Sequence, residues 1–467
     1  MLSPQPNLNL PAPRLSLRFW AVIVATGTGA GLAGGLLMRL LYAVEGAAWG
    51  GGTQEQDFIA AVQHASAGRR VAILVGAGIL AGLGRRVLML RWAKGHGGDL
   101  SQAIWKGTGR IPFFRTLGSA VLSILVVAMG ASLGREGAVK QSGACLGSRL
   151  GDWASLTVHQ RRLVLACGAG AGIAAAYNVP FGGALFASEV LLGTLAIPQV
   201  VPALVAALLG TAASWLLLPN QPVYSVNVDA SPFALVVWSA LAGPILGVAA
   251  AGYIGLIGWA DRKKVEGPWV ILAPILTLAA LGFAATELPQ LLGNGKELVE
   301  RAYANQIGLG LLLVLPFLKM AATAGCVRSG IPGGLFTPTM TCGALLGGLL
   351  GALVSPFFST IHPAACAIVG AGAFLASAMG GPVSGLLLMI ELTRQVQPVL
   401  VPLMLAVSLS SLTTRALDRR SIYTARFHPV TPEAAARVFS RRKIDGPAGE
   451  PAALGGAKTT HPGKPRA

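Results

Sequence analysis

Three charged residues, Arg135, Glu136 and Lys140, lie in the glycine-rich segment MGASLGREGAVKQSGACLG between two strongly apolar stretches. Ionisable side chains are costly to bury in apolar surroundings, and for that reason they are functional candidates. The glycine-rich turn before Glu136 predicts that a helix begins here, and the free N–H groups at such a helix start bind anions. The Glu136 carboxylate would then be a tethered anion that competes with a mobile one, and its protonation would vacate the site.

The same residues also allow a structural interpretation. Glu136 could stabilise the positive end of the helix dipole, or it could form an ion pair with Lys140, four residues further along the helix. Taken alone, this segment supports the functional and the structural interpretation equally.

Composition indicates that these residues lie in a membrane protein. Hydrophobic residues make up 53% of the chain and charged residues only 12%, whereas soluble proteins carry about 25% charged residues. Of about a dozen apolar stretches, only some reach the ~20 residues of a simple span. Glycine accounts for 62 of 467 residues, and broken helices are tolerated only inside protein or beside a cavity. We therefore expect an all-α integral membrane protein, a transporter or channel with many tilted and broken transmembrane helices.

The net charge of +18 does not indicate nucleic-acid binding, because the basic residues lie at the edges of apolar segments and in the C-terminal tail. By the positive-inside rule, both termini are predicted to be cytoplasmic. Residues 1–17 form a cytoplasmic segment in this interpretation, and residues 429–467 form a disordered basic tail. The five cysteines and six histidines lack metal-ligand spacing, so no metal or cofactor is expected.

The chain contains an internal repeat. REGAVKQSGACLGSRLG from Arg135 aligns without gaps on LFTPTMTCGALLGGLLG from Leu335, and GAGAGIAAAYNVPFGGALFASE, ending at Glu189, matches GAGAFLASAMGGPVSGLLLMIE, ending at Glu391. The offset changes by only two residues between the blocks. Repeats in transporters place the substrate site where interrupted helices from each half converge. We predict repeats over about 18–219 and 233–427 within a membrane domain of 18–428, with one helix start from each half facing a shared centre.

Four motifs together resemble the CLC family of chloride channels and proton/chloride exchangers, over roughly residues 15–427. GREGA at 134–138 is similar to the motif that carries the family's gating glutamate, and GGLFTP at 333–338 to the motif whose amides bind the central anion. SIYTARF at 421–427 resembles the segment that supplies a tyrosine hydroxyl, and NVPFGGALFASE at 178–189 is close to a further family motif.

The resemblance implies a role for each matching residue. Glu136 would be the gate, flanked by the motif residues Gly134, Arg135 and Gly137. The anion would bind to the amides of Leu335 and Phe336, beside Gly334 and Pro338, and to the Tyr423 hydroxyl. The resemblance also implies an inverted repeat and a two-fold homodimer with one pore per subunit in the bilayer, which we expect to be a bacterial inner membrane.

The sequence departs from the family pattern in two places that concern function. GHGGD at 95–99 puts His96 where the family has a serine; histidine can donate an N–H to an anion, or it could simply face the cytoplasmic vestibule. Val190 stands where exchangers carry a proton-relaying glutamate, while Glu189 is expected to pair structurally within the fold. The regulatory CBS domains of many relatives are not found after residue 428.

These features predict passive or weakly coupled conduction of chloride or another small anion through a pore gated by Glu136. The main alternative is proton-coupled anion exchange on the same scaffold. A distant alternative is a membrane-embedded enzyme with Glu136 and His96 as acid and base, for which no nucleophile, metal cluster or cofactor loop is found in the sequence.

Overall fold

Long runs of apolar and small residues, with few interruptions by charge, form a helical protein. The computed structural model describes residues 16–50, 57–91, 100–105, 107–224, 231–394 and 399–426. Within these ranges there are 17 α-helices and no strand: α1 (Leu17–Trp49), α2 (Phe58–His64), α3 (Ala67–Arg91), α4 (Leu100–Trp105), α5 (Phe113–Ala128), α6 (Glu136–Trp153), α7 (Val158–Tyr177), α8 (Pro180–Leu185), α9 (Ile197–Ser214), α10 (Pro232–Arg262), α11 (Leu272–Glu287), α12 (Lys296–Tyr303), α13 (Leu309–Ser329), α14 (Phe336–Val354), α15 (Pro363–Met379), α16 (Pro382–Thr393) and α17 (Leu400–Leu417).

Seven of the described helices are long and apolar enough to cross a membrane: α1, α3, α9, α10, α13, α14 and α17. Helix α1 has 33 residues, which corresponds to about 50 Å of helix against a hydrocarbon core of about 30 Å. Such a helix must tilt or extend beyond the core. Four further apolar helices, α5, α11, α15 and α16, have between 10 and 17 residues. The prediction of an all-α, multi-pass membrane protein with tilted and short helices is confirmed.

The two sequence repeats fold into equivalent helices. Helix α6 begins at Glu136 and α14 at Phe336, the positions that the alignment matches. The next helix ends at Tyr177 in the first half and at Met379 in the second, and each end is followed by a residue in the left-handed conformation (Asn178 with φ 55°, Gly380 with φ 70°).

Glycines allow the first two helices of each repeat to cross at close range. In the first half, a Cβ on Gly143 would overlap the Gly168 carbonyl where α6 crosses α7. In the second half, Gly343 and Gly370 meet in the same way where α14 crosses α15. Small residues permit this backbone approach in membrane proteins, so the shared glycines of the two repeats have a packing role.

An antiparallel bridge joins the two halves. The Gly134 N–H donates to the Gly334 carbonyl at 2.8 Å, and the Gly334 N–H donates back to the Gly134 carbonyl at 2.7 Å. Because equivalent residues pair with each other in antiparallel fashion, the two copies of this segment run in opposite directions here. The chain directly after the bridge enters α6 in one half and α14 in the other, so both helix starts lie at the bridge.

A second reciprocal contact joins the halves. Glu189 accepts hydrogen bonds from the N–H groups of Val383 (3.2 Å) and Ser384 (2.6 Å) at the start of α16. Glu391, its repeat partner, accepts from the N–H groups of Phe181 (3.0 Å) and Gly182 (2.6 Å) at the start of α8. Each glutamate thus caps a helix of the other half, and the expectation that Glu189 pairs structurally within the fold is confirmed.

The predicted domain boundaries stay a prediction. Helix α9 ends at Ser214 and α10 begins at Pro232, on either side of the predicted division between the repeats. Most of the N-terminal segment 1–17 and the whole of the predicted tail 429–467 lie outside the described residues.

Candidate functional site

The Glu136 carboxylate lies across the bridge, at the start of the second repeat. Its side chain is buried, with 1% of its surface exposed. Oε1 accepts a hydrogen bond from the Phe336 N–H at 2.6 Å. Oε2 accepts from the Tyr177 hydroxyl at 3.1 Å and from the Thr337 hydroxyl at 3.2 Å. The carboxylate therefore lies at the N-terminus of α14, where the helix dipole and a backbone N–H favour a negative charge.

Glycines on both sides of the bridge leave room for this carboxylate. A Cβ on Gly134 or on Gly334 would overlap the Glu136 carboxylate oxygens. A Cβ on Gly137 would lie 2.6 Å from the Gly334 nitrogen, so this residue is needed for the approach of the two backbones. Pro338, in the first turn of α14, is tolerated because no intrahelical partner is required for its missing N–H there.

Two hydroxyl groups that the sequence analysis did not single out complete the site. Tyr177 is the last residue of α7, its hydroxyl donates to Glu136, and its oxygen lies 2.8 Å from the Thr337 hydroxyl oxygen. Both side chains are buried. The repeat alignment pairs Tyr177 with Met379, and this difference between the two halves could have marked Tyr177 as a candidate site residue. Nothing in the spacing showed that Tyr177 would reach Glu136.

Arg135 links the site to a cavity of roughly 720 Å³. Its guanidinium lies over the Tyr177 ring, 4.9 Å from the centroid, and donates to the Tyr42 hydroxyl at 3.2 Å. Arg135, Tyr177 and Tyr42 line the cavity together with Glu45 and with residues of α12. The cavity thus borders the aromatic ring whose hydroxyl holds Glu136.

Helix α12 supplies most of the charged residues that line the cavity. Lys296 pairs with Glu300 at 2.7 Å, and Arg301 pairs with Asp57 at 2.6 Å. Burial raises the pKa of the Glu297 carboxyl above its usual range, an effect that Lys296 opposes. The cavity is therefore polar and is lined by both signs of charge.

Tyr423 lies in the turn that follows α17 and is buried. Its ring meets Phe186 edge to face with 5.9 Å between centroids, and the Lys140 ammonium lies 4.7 Å from its ring centroid. Burial, together with the nearby charge of Glu136, raises the pKa of the Tyr423 hydroxyl above its ordinary value. The hydroxyl therefore stays protonated at neutral pH and can donate a hydrogen bond to an anion.

The structure brings together most of the residues that the sequence singled out. Glu136, Phe336, Gly134, Gly137 and Gly334 meet at the bridge. Leu335, the buried residue that precedes α14, is adjacent in the chain. Arg135 contacts the Tyr177 ring, and Tyr423 contacts Phe186. His96 lies outside the described residues, so its predicted role stays a prediction. Among the described residues, no group of histidine, cysteine and carboxylate side chains could hold a metal ion.

Comparison with known proteins gives consistent matches. Residues 76–415 match the model of the family described as "Voltage gated chloride channel". A putative ClcB-like chloride channel protein of Ralstonia nicotianae is 34% identical over 384 residues, which cover 79% of this chain and 88% of that protein. The voltage-gated ClC-type chloride channel ClcB of Escherichia coli is 29% identical, with 74% and 84% covered. The crystal structure of a slow cyanobacterial Cl⁻/H⁺ antiporter superimposes with a TM-score of 0.73 at 21% identity, covering 92% of this chain and all of that one.

Proposed function

This chain belongs to the CLC family of voltage-gated chloride channels, and we propose that it transports small anions, chloride first among them, through a pore that Glu136 gates. One observation carries the proposal: the Glu136 carboxylate accepts the hydrogen bond of the Phe336 N–H at the start of α14. A helix N-terminus attracts anions, so a mobile anion and the carboxylate compete for one place.

Gating follows from the charge of that carboxylate. Three donors hold it, namely the Phe336 amide and the hydroxyls of Tyr177 and Thr337. Hydrogen bonds to charged groups contribute about 1.5–3 kcal/mol each, and protonation weakens them together. A neutral Glu136 loses its advantage over a mobile anion, so the site opens as the pH falls.

We assign the anion ligands on each side of this position from the family motifs. The amides of Leu335 and Phe336 and the Tyr423 hydroxyl would contact the anion, and His96 would contribute an N–H where relatives have a serine. We expect His96→Ser to change the ranking of chloride, bromide and nitrate. An unchanged ranking would place the His96 side chain outside the pathway.

The cavity beside Arg135 is the outer entrance in this proposal. With a cytoplasmic N-terminus, Leu17 lies near the inner surface, and Glu45 lies about 42 Å further along α1 at 1.5 Å per residue. Because Glu45 lines the cavity, the cavity opens away from the cytoplasm. The membrane would be the inner membrane of a bacterium, and two chains would form a dimer with one pore in each.

Channel-like conduction is favoured over antiport by the residue after Glu189. A proton that crosses the membrane needs a titratable relay beyond Glu136, and Val190 has no such group. Antiport remains the second candidate, because a solved structure that superimposes on this chain belongs to a Cl⁻/H⁺ antiporter. An enzymatic role for Glu136 has less support, since both of its oxygens bond to protein donors.

The test is anion flux from proteoliposomes that contain the purified protein, with chloride, fluoride, nitrate and bromide, measured together with proton movement. Wild-type flux should rise as the pH falls. Glu136→Gln should raise flux at neutral pH by about tenfold or more, equivalent to about 1.4 kcal/mol, and should abolish the pH response. Glu287→Gln, the same change at the exposed end of α11, is the matched control. Flux and pH response that are unchanged in Glu136→Gln would refute the gate.

A further inference from the structure

Each half of the protein approaches the bridge through a turn that ends a helix. Helix α5 ends shortly before Gly130 (φ 110°), and α13 ends directly before Gly330 (φ 81°). Both glycines are in the left-handed region that favours glycine, as is common after the end of a helix. Four residues after each turn the chain reaches Gly134 or Gly334 of the bridge. The position of each turn therefore limits where the bridge and the following helix start can lie.

A basic side chain of the second half anchors the turn of the first half. The Lys319 ammonium is buried in α13 and donates to the carbonyls of Leu291 at 3.0 Å and Gly293 at 2.8 Å. The Gly293 N–H donates in turn to the Gly130 carbonyl at 2.9 Å. Lys319 thus holds the segment that is bonded to the first turn.

A basic side chain of the first half anchors the turn of the second half. The Arg85 guanidinium, in α3, donates to the carbonyls of Ser329 at 3.1 Å and Val265 at 3.2 Å. The Val265 N–H donates to the Arg328 carbonyl at 2.9 Å, so the Val265 segment is bonded to this turn both directly and through Arg85. A Cβ on Gly330 would overlap the guanidinium, which shows how closely Arg85 approaches the turn.

These contacts act on the gate only through the backbone. In the described part of the chain, neither side chain bonds to Glu136 or to its three donors. A carbonyl at the end of a helix lacks an intrahelical partner, and a charged donor is a strong partner for it. The titratable groups that act electrostatically on the two side chains are Glu297, Cys326 and Cys342 for Lys319 and Glu266 for Arg85.

We propose that Lys319 and Arg85 are positioning residues of the gate. Each fixes, from the opposite half, the turn that leads to one side of the bridge. Together they align the Glu136 carboxylate with the Phe336 N–H. This inference rests on the proposed function and adds to it the residues that hold the two sides of the gate in register.

The main test is anion flux from proteoliposomes measured against pH. A misaligned carboxylate is held less tightly, so a smaller fraction of protonated Glu136 is enough to open the pathway. Lys319→Met and Arg85→Met should therefore each move the midpoint of opening to higher pH, by about 0.5–1 unit for a three- to tenfold loss of gate occupancy. An unchanged midpoint in both variants would overturn the proposal.

Arg70→Met is the matched control for Arg85→Met. Arg70 lies in the same helix, is also partly buried, and donates to the carbonyls of Ala285 and Thr286 at the end of α11. Its loss should lower the thermal stability in detergent and leave the midpoint where it is in wild type. Equal midpoint shifts in Arg70→Met and Arg85→Met would overturn the proposal, because the loss of any such carbonyl contact would then have the same effect.

A variant that keeps the charge separates positioning from direct electrostatic influence on Glu136. Arg85→Lys retains a cation but loses the planar fork that reaches two carbonyls at once. We expect it to shift the midpoint in the same direction as Arg85→Met and by a smaller amount. A midpoint equal to that of wild type in Arg85→Lys, with a shift in Arg85→Met, would assign the effect to charge alone and overturn the proposal.

The Glu136→Gln background shows whether the two residues act through the carboxylate. There the clamped turns have no carboxylate to align, so adding Arg85→Met should leave flux equal to that of Glu136→Gln alone. A similar change of flux in both backgrounds would overturn the proposal and assign Arg85 to the pore itself. Lys319→Met leaves buried carbonyls without a donor, and if it fails to fold, as judged by gel filtration, the Arg85 variants decide.

The same assay keeps this inference distinct from the function on which it rests. Absence of anion flux from both wild type and Glu136→Gln would refute the proposed function. Flux that rises as the pH falls, with a midpoint that Arg85→Met and Lys319→Met leave unchanged, would refute only the positioning role.

Discussion

The two halves of this protein present the same backbone at the central bridge and different side chains. Helices α6 and α14 begin at equivalent positions, and Gly134 and Gly334 pair with each other. The first half places a carboxylate there, Glu136, and the second half places an N–H that donates to it, at Phe336. The same asymmetry recurs at the end of the next helix, where Tyr177 provides a hydroxyl and Met379 does not.

At another pair of equivalent positions, the two halves have the same residue in the same structural role. Glu189 and Glu391 each cap a helix of the opposite repeat with two backbone hydrogen bonds. The comparison separates two kinds of position. The capping glutamates and the glycines at the two helix crossings are present in both halves, whereas the glutamate of the proposed gate is present in only one. The following predictions test this distinction.

The largest effect is expected from Gly134→Ala. Gly134 is not in the left-handed region, so an alanine there is limited by space alone. Its Cβ would overlap the Glu136 carboxylate and displace it from its three donors, a loss of more than about 2 kcal/mol. Flux at neutral pH should rise to the level of Glu136→Ala, as measured in proteoliposomes.

The control for Gly134→Ala is the same substitution in a Glu136→Ala background. There it has no carboxylate to displace, and flux should match that of Glu136→Ala. A Gly134→Ala variant that keeps the flux and pH response of wild type would show that the carboxylate does not hold the pathway closed from this position.

Tyr177→Phe should have a smaller effect in the same direction. It removes one hydrogen bond to the carboxylate and keeps the ring on which Arg135 lies. A loss of about 1–2 kcal/mol corresponds to a factor of about 5–30 in gate occupancy. We expect opening at a higher pH than in wild type, measured as flux against pH.

Tyr303→Phe is the matched control for Tyr177→Phe, because it makes the same change at a buried tyrosine at the end of α12. Its pH profile should coincide with that of wild type. If both variants shifted the profile equally, the effect would not come from the hydrogen bond to Glu136.

Glu189→Ala and Glu391→Ala should each lower stability by a similar, modest amount. Loss of a helix cap costs about 1 kcal/mol, and both carboxylates are partly exposed. Thermal unfolding in detergent, followed by tryptophan fluorescence, should show two similar shifts and no change in the pH response of flux. A changed pH response in Glu189→Ala alone would give the first half a second functional glutamate.

The smallest effect concerns Val190, whose repeat partner is Leu392. Neither side chain has a titratable group that could relay a proton. A chloride gradient should therefore drive little or no uphill proton movement, and the reversal potential should follow the anion gradient alone. Val190→Glu need not introduce coupling, because a carboxylate without a water path to Glu136 cannot relay. Robust proton pumping by the wild-type protein would contradict uncoupled conduction.

Much of the fold and the centre of the candidate site could be predicted from the sequence. Apolar runs specify helices and a membrane, and the spacing of small residues shows the repeat. A glycine-rich turn followed by a long helical segment places Glu136 and Phe336 at helix starts. These are local properties, because a few neighbouring residues determine where a helix begins and which side chain stands at its N-terminus.

The partners across the chain were decided only by the tertiary structure. The Phe336 N–H lies 200 positions from Glu136. Thr337, in the same helix α14, and Tyr177, at the end of α7, reach the same carboxylate. The direction of the Lys140 side chain, toward Tyr423, was likewise open between two interpretations in the sequence. Periodicity and spacing determine where each helix begins and which side chains stand there. A contact between distant segments depends instead on how closely the helices pack. Here glycine-lined crossings and the reciprocal bridge determine that packing.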